Sequence, residues 1–302
     1  MSDTPSDRDE TWTGDTDPRP LALYRAGFGA LLCAEALGRV PYAPELYSSE
    51  GFHRSRFHVP LPSPGVSYVV VLAAALASAA VSLGWRTRAA ALTAMALWGW
   101  LFAIDQINEK ALHSLALVVL ALLALSDAGA VGSLDALRAR RAGAAPITRV
   151  WITPKRLLQL HFAQVYFFAG LGKLFAAGWV TGQVLSLSAS SRWATGAGLW
   201  VAGWMPETAW RALALLTILY EIVGPWLLFV PWARPWVLAL GLSFHLGIQV
   251  TLGVGWLGVH FMLALATLYP APTTWRRVFE AATALRGRAV ASDAPPVQTP
   301  RA

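Results

Sequence analysis

Seven residues of this chain could do chemistry, and all of them sit in apolar surroundings: Asp105, His113, Tyr166, Lys173, His245, Gln249 and His260. Lys173 lies near the end of LLQLHFAQVYFFAGLGKLF, in which Gln159, Tyr166 and Lys173 share one face of a helix. Gly170 and Gly172 thin that helix beside the amine and let another element approach closely. His245 and Gln249 fall one turn apart on a second apolar helix, Asp105 and His113 flank the gap between two others, and His260 begins the last. An ionisable side chain at the centre of a membrane helix costs about 2.5 to 3.5 kcal/mol, so each needs a partner, a wet cavity or a role. The spacing predicts that the acid, the amine and the three imidazoles meet in one half of a helix bundle. Burial beside cations favours a neutral amine, and a neutral amine is a base.

Simpler roles stand beside these. Lys173 also fits a side chain snorkelling to the interface, and His113 and His260 fit satisfied structural histidines. His245, in mid-helix, is costly unless bonded. Arg25 reads as a snorkelling anchor, while Glu35 and Glu221 require cationic or hydroxyl partners on other helices.

The elements that must position these groups follow from composition. Of 302 residues, 56% are hydrophobic and 14% charged, against roughly a quarter charged in ordinary soluble domains. The expected fold is all-α, a polytopic transmembrane helix bundle with spans at about 20–39, 66–84, 89–106, 111–127, 155–176, 207–230, 234–253 and 255–271. Sixteen of the 24 Lys and Arg fall on one side of that arrangement and six on the other, which predicts a multi-pass plasma-membrane protein with both termini cytoplasmic. Residues 1–19 read as a disordered acidic tail without signal-peptide features, residues 20–271 as the membrane domain, and residues 272–302 as a basic cytoplasmic helix and loose tail.

The net charge of +7 is thereby a topology signal, concentrated in the RARR cluster of the 128–154 loop, and no nucleic-acid partner is expected. Cys33 is the only cysteine, which excludes an internal disulfide and a CxxC redox pair. No HExxH or paired i, i+4 histidines occur, so no metal is predicted; Walker and G-x-S-x-G sequences are absent too. No internal repeat supports a transporter. Two outer loops, 40–65 and 177–206, rich in Trp, Pro, Gly and Ser, are placed to cap an outward-facing cavity.

Three stretches resemble the horizontally transferred transmembrane (HTTM) domain shared with vitamin K-dependent gamma-carboxylase: VYFFAGLGKLFAAGWVTG, DQINEKALHSLALVVLALLALSDAGAVGSLD and SFHLGIQVTLGVGWLGVHFML, the last preceded by YEIVGPWLLF. The likeness covers about residues 20–270. It implies a reduced, vitamin K-like quinone as cofactor, a lysine base at Lys173 and the His-Ser histidine at His113. Gly172 stands where the carboxylase has a second lysine, and a counterpart of the carboxylase's large lumenal domain is not expected after the eighth span, so substrate recognition is expected to differ.

Two functions follow. One is a quinol-dependent membrane enzyme of carboxylase-epoxidase or oxidoreductase type, a lyase in the carboxylase case. Lys173 is its base, His113 and His245 bond a quinol oxygen, and Tyr166, Gln249, His260 and Asp105 line the cofactor site. The other is a non-enzymatic maturation or export partner for a secreted peptide, using the outer loops and the Trp-rich 193–210 segment. In both the lipid bilayer is the surrounding partner.

Overall fold

The computed structural model describes residues 12–53, 59–105, 111–271, 274–275 and 277–278. Unbroken Ala- and Leu-rich runs form its long helices, because such residues lose little rotamer freedom in a helix and leave no polar group unsatisfied. These are α1 (Arg19–Arg39), α3 (Pro64–Leu83), α4 (Thr87–Ile104), α5 (Ala111–Ala124), α7 (Thr153–Leu174), α11 (Glu207–Leu227), α12 (Arg234–Thr251) and α13 (Trp256–Leu268). Short helices fill the connections: α2 (Ala43–Tyr47), α6 (Leu134–Arg141), α8 (Ala177–Val180), α9 (Gln183–Ala189) and α10 (Gly196–Ala202). Prolines occupy the first turns of α1, α3, α7 and α12, where a missing N–H is harmless. Gly84, in the left-handed conformation at φ 65°, ends α3.

These eight helices overlap the eight segments expected as spans, but not all of them have spanning length and hydropathy. Among the described residues four stretches, Arg19–Tyr47, Pro64–Leu83, Thr87–Ile104 and Glu207–Leu227, are long and apolar enough to cross a membrane. Leu76, Leu92, Leu216, Leu219 and Trp236 are exposed on the outer faces of their helices. A bundle whose outside is as apolar as its inside has lipid for solvent. The chain is a membrane protein.

Inside, α1 packs against α3 and α13, α4 lies between α3 and α5, and α7 pairs with α11. Close approach is bought with small residues: a Cβ on Gly29 of α1 would lie 2.7 Å from Ser82 Cα and 2.8 Å from Ser78 O of α3. Tyr24, Phe28, Trp98 and Phe162 fill the centre.

Arg25 departs from expectation. It does not snorkel; it is fully buried, donating from Nε to Ala128 O (3.0 Å), from Nη2 to Gly132 O (2.8 Å) and from Nη1 to Val81 O and Ser82 O. A guanidinium is the side chain whose donors can reach carbonyls of several segments at once. It thereby ties the end of α3 to the loop before α6.

Residues 12–18, expected as the end of a loose tail, are docked. Asp15–Thr16 pairs antiparallel with Val150–Trp151, and Trp12 stacks on Phe229 at 5.8 Å under the Arg156 guanidinium. An aromatic anchor and two strand pairings fix a segment whose composition alone reads as disordered. The remainder of the expected tail, residues 1–11, lies outside the described residues, as does most of the expected basic helix from residue 272; residues 274–275 and 277–278 are helical.

Candidate functional site

A cavity of about 660 Å³ opens where α7, α11, α12 and α13 meet the short helices α8–α10. Its wall is mostly apolar, including Leu115, Val165, Leu213, Phe244, Ile248 and Phe261. Two polar pairs interrupt it.

The first is an ion pair. Lys173 Nζ donates to Glu221 Oε2 at 2.6 Å, and the same ammonium lies 5.0 Å from the centroid of Trp179. The side chains are 19% and 7% exposed. Although Lys173 is one residue from the end of α7, it is not at a rim, since α11 begins fourteen residues before Glu221 and α8 and α9 pack on that overhang. Gly170 makes the approach possible: a Cβ there would stand 2.9 Å from both Glu221 Cβ and Ile222 Cγ1. Gly172, by contrast, faces open space.

The second pair joins α7 to α12. Tyr166 Oη and His245 Nε2 are 2.5 Å apart, with the imidazole stacked on Phe261 of α13 at 5.1 Å and 9°. His245 is 6% exposed, lines the cavity, and its Nδ1 has no hydrogen-bond partner among the described residues. An unpaired buried ring nitrogen is costly, and a ligand that hydrogen-bonds there relieves the cost.

Lys173, Tyr166 and His245 are thus brought together. The other expected residues are not. Gln249 lies one turn beyond His245 against Gly258, its Oε1 buried and without a hydrogen bond among the described residues, and the expected partner of His245 is replaced by Tyr166. His260 is behind the cavity wall, with Nε2 2.8 Å from Tyr24 Oη and its ring 4.7 Å from Phe28. His113 belongs to a separate network at the far end of α1. It stacks on Trp98 at 5.2 Å and lies 3.6 Å from Glu35, which also takes Arg39 at 2.9 Å, while Arg39 reaches Tyr47. Asp105 is buried as the residue that ends α4. Depth in a bundle is readable from position along a helix; the direction each helix faces is set by packing, and that divides residues of similar depth.

Glu221 was expected only to need a partner, and the structure puts it at the centre of the site. Its signal in the sequence is a lone carboxylate deep in an apolar helix, with one lysine of comparable depth and a glycine three residues before that lysine. Among the described residues no cluster of three or more His, Cys, Asp or Glu is arranged to hold a metal ion.

At the opposite end, a depression of about 390 Å³ contains Arg86, Arg88, Asp127 and Asp135. Its charges serve the fold. Arg88 pairs with Asp127 at 2.8 Å, and Asp135 accepts from Arg86 N, Thr87 N and Thr87 Oγ1, each at 2.8 Å. Burial pushes the Asp135 carboxyl up, but those hydrogen bonds outweigh it and hold the group below its ordinary value.

The HTTM domain model matches residues 14–275 of the chain. No curated protein and no solved structure matches it.

Proposed function

Because this chain belongs to the HTTM domain family and is a membrane protein, we propose that its cavity binds a reduced quinone and that the Lys173–Glu221 pair takes the proton of one ring hydroxyl. The observation that carries the reading is that an ammonium–carboxylate pair and a Tyr–His pair face the same apolar cavity. The volume lies within the range of small-molecule sites, roughly 300 to 1,000 Å³, and few polar groups set against apolar walls is their usual composition.

A reduced quinone would supply two ring hydroxyls and two electrons. Phe244, Ile248 and Phe261 exclude water from it. Lys173 moves a proton in two directions: Nζ gives one to Glu221 across their 2.6 Å contact, and the amine so formed takes another from the hydroxyl. Net, the pair gains one proton and ends as ammonium and carboxylic acid. Trp179 holds the cation through its ring face. His245, fixed by Tyr166 and Phe261, offers Nδ1 to a second oxygen.

The same reading takes the eight long helices as eight crossings of the plasma membrane, with both termini cytoplasmic. The Lys and Arg asymmetry of the loops supports this. It also keeps the acidic tail and the basic C-terminal segment as cytoplasmic flanks of one membrane domain.

Lys173→Ala tests the proposal. The variant should remain folded in detergent and lose oxidation of added menaquinol or vitamin K hydroquinone. Retained turnover overturns it.

A further inference from the structure

We infer that α8–α10 are seated in the outer headgroup layer of the bilayer, as a lid with lipid on one face and the cavity on the other. The roof of the cavity is then membrane and not water.

The first support is charge. Residues 177–206 contain a single ionisable side chain, Arg192, together with Trp179, Trp193, Trp200 and Trp204. A thirty-residue stretch of ordinary soluble composition would carry about seven charges. The second is that α10 is apolar on both sides. Gly198 and Val201 of α10 and Met205 just beyond it line the cavity, while Leu199, Trp200 and Trp204 point away from it with 54%, 69% and 61% of their surface exposed. A short helix with an apolar outer face is unstable against water, and tryptophan concentrates where a bilayer meets water.

The third is continuity. The flanking helices show the same character, Leu216 and Leu219 on α11 and Leu246 and Val250 on α12 being exposed and outside the cavity lining. The fourth is backbone pairing, which a non-helical segment at membrane depth requires. Thr195 N donates to Thr251 O at 3.0 Å, Gly253 N donates to Trp193 O at 2.7 Å, and Ala194 bridges Leu252, so the stretch before α10 is closed by the end of α12. Arg192, 4.7 Å above the Trp193 ring, is the one cation that residues 177–206 offer to lipid phosphate.

The test uses the full chain in nanodiscs, with Cys33→Ser as background and single cysteines at Trp200, Trp204 and, as a reference, the exposed Glu50 of the other outer loop. Each is labelled with bimane, and nitroxide lipids carry the spin label near the headgroup. The inference expects quenching at positions 200 and 204 at least several-fold stronger than at 50, and slow reaction of both with a membrane-impermeant maleimide. Reaction as fast as at Glu50, without lipid quenching, overturns it. So does protection that appears only with two copies per disc, which would make the face a contact between copies, or only with an added secreted peptide. If Trp200→Cys fails to fold, Leu199→Cys reports on the same face.

Discussion

Replacing Lys173 with Met strands the Glu221 carboxylate, 7% exposed, beside an apolar cavity. Removing one partner of a buried ion pair costs about 3 to 5 kcal/mol. Here the loss has a ceiling, because the stranded group can take a proton. For a carboxyl with an ordinary pKa near 4.3, that costs about 3.7 kcal/mol at pH 7 and about 1 kcal/mol at pH 5. Lys173→Met should therefore lose about 3 to 4 kcal/mol at neutral pH, and most of that loss should vanish at pH 5. Glu221→Met should be milder, since the ammonium keeps the Trp179 face, an interaction of about 0.5 to 2 kcal/mol, and is itself 19% exposed. The double variant leaves no orphan charge and should fall within about 1 kcal/mol of the wild type. Denaturant unfolding in one detergent at both pH values measures all four proteins. Additive single losses, or a Lys173→Met loss indifferent to pH, would refute a buried, energetically coupled pair.

Gly170→Leu should cost about 1 to 3 kcal/mol by prising α7 from α11, whereas Gly172→Ala, facing open space, should leave the melting temperature unchanged or slightly raised. Arg25→Met should be among the most damaging single changes, because carbonyls of Ser82, Ala128 and Gly132 lose this donor at about 1 to 3 kcal/mol each, whereas Val81 O keeps the N–H of Gly84; Arg25→Lys should not rescue it, as measured by thermal unfolding. The Asp135 carboxyl titrates below its ordinary 3.8, so its stabilisation is complete above that value and is lost as the pH falls through the lowered one; acid titration should show the gap between wild type and Asp135→Asn closing there.

Much of the helical framework is legible in the sequence, because an apolar run of bilayer length admits few other structures. Less so are α8–α10: at four to seven residues each they are too short for periodicity to register, and tertiary contacts hold them. Arg25 misleads because its neighbours in sequence are those of a snorkelling residue, while its partners come from the end of α3 and the loop before α6. Of the expected site, Tyr166, Lys173 and His245 gather since α7 and α12 turn those faces to one cavity. His113 and His260 do not, for Trp98 with Glu35 claims the first and Tyr24 with Phe28 the second. Glu221 is the reverse case, a residue whose partner only the α7–α11 contact at Gly170 reveals.

The central claim is that a ring hydroxyl meets Lys173 inside the cavity, and fluorescence titration reads it directly, because Trp179 and Trp210 line the wall. Vitamin K hydroquinone and its dimethyl ether would be titrated under anaerobic conditions into the wild type and Lys173→Met. A charge-assisted hydrogen bond of about 1.5 to 3 kcal/mol predicts that the wild type prefers the hydroquinone by about tenfold or more and that the preference disappears in the variant. Equal binding of the two compounds to the wild type, or a preference that survives the loss of Lys173, would contradict it.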